Sequence, residues 1–144
     1  MPDDDTRIDE IEERRRRAGA AMSVSYMSDA KWRKALNALA SVHPGGVCRW
    51  KLLREREPIA GFLPDPGEVE ERHLDCFSLN VHYALYRDIE WLEIPAEVTW
   101  RAYENAPLSR RKIDLVAVRA ALEGAGSFEL ANLADGLRLY GYRP

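Results

Sequence analysis

Cysteine and histidine are scarce in this chain, with two of the first and three of the second among 144 residues. Two cysteines cannot build the disulfide framework of a small secreted domain. Cys48 and Cys76 each sit inside an apolar, strand-like run, so they read as buried small hydrophobes in a reducing compartment, not as a bridge. The only grouping with metal-ligand residue types is His73, Asp75, Cys76 and His82. Zinc needs three or four such ligands converging tetrahedrally. On a strand over 73–78, His73 and Asp75 point one way and Cys76 the other, so no metal or cofactor is expected. A nucleophilic centre would combine Cys48 or Cys76 with His43 or His82 and an orienting carboxylate. No nucleophile elbow or local signature places those residues together, and the expectation leans away from an enzyme.

Long apolar runs are absent as well. Nothing approaches the ~18 residues of a membrane span. The four arginines at 14–17 are followed only by Ala18, Gly19, Ala20 and Ala21, which is no signal-peptide core. A cytoplasmic protein without a membrane partner is expected. Excess positive charge is missing too: 21 basic residues face 24 acidic ones, a net charge of −3. That balance argues against broad nucleic-acid binding, which relies on a basic footprint. The first 21 residues hold seven of the acidic and five of the basic groups, so the remainder carries 17 acidic and 16 basic residues and is nearly neutral. Phosphate-cradling loops are lacking: Gly45 and Gly46 follow Pro44 and precede a strand, and Gly124 and Gly126 close a helix where the dipole repels anions.

What is present suffices for one domain, since 144 residues bury roughly two-thirds of their unfolded surface. Residues 1–27 are expected to be a flexible or loosely helical charged extension, with Ile8 and Ile11 the only large aliphatics up to residue 21. A single domain follows over 28–144. Ser28 suits an N-cap with Asp29 in the first turn, and Trp32, Leu36 and Leu39 share one helical face up to about Ala40. Residues 47–53 alternate as a strand, with Cys48, Trp50 and Leu52 on one side and Arg49 and Lys51 on the other. The segment 54–71, punctuated by Pro58, Gly61, Pro64, Pro66 and Gly67, reads as a long surface loop tacked down by Ile59, Phe62 and Leu63. Strands are expected over 73–78 and up to Ile94, with a turn near 79–82. Trp100 and Tyr103 fall in a connecting segment, and a second amphipathic helix is expected from about Ser109 to Glu123. Asp135 and Gly136, between β-prone runs, signal a closing hairpin. The fold class is therefore α+β: two layers, with a mainly antiparallel sheet of about five strands and two amphipathic helices on one face.

The segment with the most chemistry is 88–95, where Glu90 and Glu93 interrupt Ile89, Trp91, Leu92 and Ile94 before Pro95. A carboxylate beside apolar surface invites a general acid or base reading. In a regular strand, however, residues three apart face opposite sides, so Glu90 and Glu93 form no dyad. An ion pair with Arg49 or Lys51 on a neighbouring strand is the favoured reading. Candidate partner-binding residues are Glu90, Trp91, Glu93, Arg49, Lys51 and Phe62. A nucleic-acid reading requires Arg49, Lys51 and the basic triplet Arg110, Arg111 and Lys112 to share one face.

Taken in order, Lys31-Trp32-Arg33-Lys34, Cys48-Arg49-Trp50-Lys51, Glu90-Trp91-Leu92-Glu93-Ile94-Pro95 and Gly141-Tyr142 resemble a family of small bacterial proteins known only as a domain of unknown function. The resemblance spans about 28–142 and implies an intact bacterial domain without bringing an activity, cofactor or catalytic residue. By class, the expectation is a non-enzymatic protein-binding module with a protein partner, such as an immunity (antitoxin-like) protein. The alternatives are a small enzyme using carboxylate and histidine residues in a cleft, or a nucleic-acid-binding module.

Overall fold

The computed structural model describes residues 22, 24–65, 69–70, 73–75 and 83–144. Of the extension expected over 1–27, residues 1–21 and 23 lie outside these residues, as do the turn near 79–82 and the far half of the 73–78 strand. Strand β1 (Val24–Ser25) belongs to the fold: it pairs antiparallel with the last strand, β11 (Tyr142–Arg143), and the Tyr26 amide donates to the Gly141 carbonyl at 2.9 Å. Val24 and Ser25, placed within the extension by the sequence pattern, are thus paired with the chain's last strand.

Helix α1 (Asp29–Val42) begins where its cap dictates, with the Ser28 hydroxyl accepting the Lys31 amide at 3.2 Å. Its buried face is Trp32, Ala35, Leu36 and Leu39. Gly45 at φ +60° turns the chain into β2 (Val47–Leu52). The supposed loop that follows contains a strand, β3 (Ile59–Phe62), paired antiparallel with β2 from Val47↔Phe62 to Trp50↔Ile59. Its backbone is claimed by the exposed edge of β2, which overrides the poor local propensity of Ala60 and Gly61. Leu63 is buried and anchors the segment as expected, whereas Phe62 is 54% exposed and does not.

Strands β4 (His73–Asp75) and β5 (Tyr83–Leu85) form a separate two-stranded sheet and do not extend the main one. A 3₁₀ turn, Tyr86–Asp88, leads into β6 (Ile89–Pro95), the middle strand of five. Then comes an unanticipated hairpin, β7 (Glu97–Trp100) and β8 (Ser109–Lys112). Helix α2 (Leu115–Ala125) starts six residues later than expected, because Asp114 is the real cap and accepts the Ala117 amide at 3.0 Å. A start at Ser109 would have placed three cations in the first turn, against the helix dipole. The expected closing hairpin is present as β9 (Leu130–Leu133) and β10 (Gly136–Tyr140).

The main sheet is antiparallel throughout, in the order β3-β2-β6-β10-β9. Both helices lie on one of its faces. A single core joins Trp32, Leu36, Leu39, Val118 and Leu122 from the helices to Trp50, Leu52, Leu92, Ile94, Leu137 and Leu139 from the sheet. Each such large side chain, fully buried, contributes about 1.5–3 kcal/mol of transfer free energy. This is the expected two-layer α+β architecture. Among the described residues, no helix is long and apolar enough to cross a membrane.

Candidate functional site

The geometry of β6 depends on one irregularity. Against β2, Glu93, Leu92 and Trp91 pair with Arg49, Trp50 and Lys51 in turn, but Leu52 then pairs with Ile89. One step along β2 is matched by two along β6, so Glu90 is the extra residue of a β-bulge. A bulge shifts side-chain parity by one. Ile89, Leu92 and Ile94 therefore all enter the core, while Glu90, Trp91 and Glu93 turn to the face opposite the helices. The expectation that the two glutamates face opposite sides is thereby overturned.

All six candidate residues share this outer face. Arg49 and Lys51 alternate with the buried Cys48, Trp50 and Leu52, and Phe62 stands directly opposite Val47. Most of their polar capacity is spent within the molecule. Lys51 Nζ lies 3.8 Å from Glu90 Oε1 and donates to the Leu52 carbonyl at 2.7 Å. Glu93, only 3% exposed, accepts from Arg138 Nη2 at 3.0 Å. The same guanidinium lies over the Trp91 ring, 3.9 Å from its centroid, and Arg143 stacks on Tyr140 at 4.1 Å. Arg138 and Tyr140 went unnoticed in the sequence, although their alternation with Leu137 and Leu139 places them on this face. The predicted cross-strand ion pair exists between Glu90 and Lys51, whereas Glu93 has an unpredicted partner, Arg138 of β10. Of the six, Arg49 and Phe62 are left exposed.

The β7–β8 hairpin has the opposite character. It is a two-stranded ribbon with pairs running from Glu97↔Lys112 to Trp100↔Ser109. Its base is tied to the body by the Ala96 amide donating to the Asp135 carbonyl (2.7 Å) and is closed across the ribbon by the Ile113 amide donating to the Ala96 carbonyl (2.9 Å). At its far end the Ala106 amide donates to the Tyr103 carbonyl at 3.0 Å, Asn105 takes the left-handed conformation at φ 65°, and Arg101 donates to the Ala106 carbonyl. This well-bonded end carries Trp100 (47% exposed), Tyr103 (68%) and Leu108 (44%). Arg110, Arg111 and Lys112 are exposed on β8. They stand on this ribbon, and not at a helix start. Arg49 and Lys51 lie in the other sheet.

Of the residues considered for a nucleophilic centre, Cys48 and His43 are described, and both are buried. Cys48 is a fully buried free thiol, and burial pushes its pKa far above the usual range, which keeps it protonated. His43 is 7% exposed, its Nε2 lies 3.3 Å from the Val47 carbonyl, and its ring fills the space above Gly46, where a Cβ would meet it at 2.0 Å. Of the proposed metal group, Cys76 and His82 lie outside the described residues. Among the described residues, no three His, Cys, Asp or Glu groups come together. Asp88, 1% exposed, ends the 3₁₀ turn before β6 and lies 3.7 Å from Arg54 Nη1. A groove of about 320 Å³ runs between the end of α2 and β9, but its Arg119 is tied to Glu123 at 2.9 Å and to Asn132 at 3.1 Å. Comparison of the chain with protein-family models, with curated proteins and with solved structures found no match.

Proposed function

We propose that the protein is a non-enzymatic protein-binding module that docks through the β7–β8 hairpin, as an immunity protein that masks a partner toxin would. The observation that carries this reading is the ribbon's far end, where Trp100, Tyr103 and Leu108 are exposed on a segment held by its own hydrogen bonds. Exposed aromatics on a rigid support, flanked by arginine, have the composition of interface hot spots, because they offer large contact area with little conformational entropy to lose. Arg49 and Phe62 on the outer sheet face are secondary contact residues in this reading. The resemblance to small bacterial proteins agrees with it by class only. The sequence blocks that carry the resemblance fall on α1, β2, β6 and the β10–β11 junction, which build the body of the fold and not the ribbon.

The test compares the tagged full chain with a Trp100→Ala/Tyr103→Ala variant in cross-linked capture from the native host. One protein should be recovered by the wild type and lost by the variant, with the thermal midpoint moved by less than roughly 4 °C, the equivalent of about 1 kcal/mol. If the partner is a toxin, its expression alone should stop growth, and co-expression of the wild type but not the variant should restore it. Equal recovery by both proteins, or no specific recovery, overturns the reading.

A further inference from the structure

The ribbon's ladder has a parity that determines which backbone groups are unused. Ile113 donates to the carbonyl of Ala96, the residue directly opposite it. Antiparallel pairs alternate between hydrogen-bonded and non-bonded. The cross-strand bonds therefore belong to Val98↔Arg111 and Trp100↔Ser109, and the amides and carbonyls of Arg110 and Lys112 point outward from the free edge of β8. No described strand pairs with that edge. Two-stranded ribbons are marginal by themselves, and a third strand is the usual remedy.

The edge is also charged. Residues 97–112 contain four basic groups and two acidic ones, although the whole chain is net negative. Arg101 is occupied within the end turn, and Arg110 makes only a loose 3.8 Å pair with Glu97. Among the described residues neither Arg111 nor Lys112 has an ion-pair partner, and both are exposed. Three consecutive cations disfavour pairing of this edge with the same edge of a second copy, the usual protection of a free strand. They favour an incoming strand that carries carboxylates. Trp100 and Arg111 share one ribbon face, so apolar anchoring and charge pairing are available side by side.

We propose that β8 receives an extended acidic segment of a partner protein by strand addition, with its backbone bonded to Arg110 and Lys112 and its carboxylates meeting Arg111 and Lys112. This deepens the protein-binding reading and rests on it. The discriminating substitutions are Arg110→Ala and Arg110→Pro. Both remove the same charge, but only proline also removes the outward amide, and at this position it leaves the ribbon's own ladder intact.

The experiment pans a random dodecapeptide phage library on the immobilised full chain, with counter-selection on Trp100→Ala. Enriched sequences should carry Asp or Glu at adjacent positions, because Arg111 and Lys112 point to opposite faces of the ribbon. The leading peptide, made synthetically, should bind Arg110→Ala within about threefold of wild type and Arg110→Pro at least tenfold more weakly. Equal loss in the two variants, basic or uncharged consensus peptides, no enrichment, or displacement of the peptide by a twelve-residue oligothymidylate overturns strand addition. The protein-binding reading survives that result if cellular capture still depends on Trp100 and Tyr103, so the two failures are distinguishable.

Discussion

Replacing Arg138 should cost more than replacing its partner Glu93, and the double replacement should recover part of the loss. Glu93 is 3% exposed while the Arg138 side chain is 24% exposed, so the two do not leave equivalent orphans. In Glu93→Gln the guanidinium keeps access to water and its stack on Trp91, and the amide oxygen can still accept from Nη2. The expected loss is about 1 kcal/mol. In Arg138→Met a carboxylate remains buried without its cation. Breaking such pairs costs about 3–5 kcal/mol, and the partial exposure of Arg138 places this case near 3. The lost cation–π stack accounts for about 0.5–1 kcal/mol of that figure. In the double variant a neutral amide replaces the stranded charge, and the total loss should be about 2 kcal/mol. The coupling energy is then about −2 kcal/mol, against the additive expectation of about 4 for the double variant. Urea melts followed by far-UV circular dichroism measure all four proteins, and in thermal melts the gap between Arg138→Met and the double variant should be roughly 4 °C. Losses that add within about 0.5 kcal/mol would mean that the 3.0 Å pair is not energetically coupled, and the outer-face ladder would then be packing alone.

Gly141→Ala should destabilise by about 2–4 kcal/mol, because a Cβ there would sit 2.4 Å from the Ile89 carbonyl oxygen at the bulge and backbone cannot easily retreat; an unchanged urea midpoint refutes this. Removing the α2 cap by Asp114→Ala should cost about 1 kcal/mol, read in the same assay, and a change of no more than a few tenths would deny the cap its role. Burial, and then the negative charge of Asp88, raise the Tyr142 phenol above its ordinary pKa of 10.0. The folded protein thus holds this proton more tightly than the unfolded chain, and the associated stability is full below pH 10 and lost as pH rises through the folded value. Tyr142→Phe should therefore weaken the alkaline loss of stability, and identical profiles above pH 10 would contradict the shift. Cys48 should react with a thiol reagent only at the rate of unfolding, as peptide mapping of the modified chain would show; rapid labelling of the native protein would disprove its burial.

Much of the body was legible because local signals and tertiary packing agree there. Ser28 and Asp29 announce α1, the spacing of Trp32, Leu36 and Leu39 names its buried face, and Asp135 with Gly136 marks the last hairpin. The ribbon was missed for a chemical reason. Ser109 followed by Arg110, Arg111 and Lys112 has none of the apolar alternation of a half-buried strand, because both faces of this ribbon meet solvent. The available clue was electrostatic: three cations do not belong in the first turn of a helix. Strand β3 gave no local clue, since Ile59, Ala60, Gly61 and Phe62 form a strand only through pairing with β2.

The segment 88–95 is the most instructive failure, since its sequence recorded the feature that misled a period-two reading. Apolar residues at 89, 92 and 94 cannot share a face in a regular strand, which would have to be covered on both sides. A bulge produces the same pattern with one covered face, by consuming Glu90 and carrying Ile89 back to the core beside Leu52. The two models differ in where they put the carboxylates. A regular strand separates Glu90 from Glu93, whereas the bulge sets both on the outer face, each against its own cation. That pairing uses up the charges that had suggested catalysis or recognition at β6. On the ribbon that follows Pro95, by contrast, aromatic surface, cations and a strand edge all remain available.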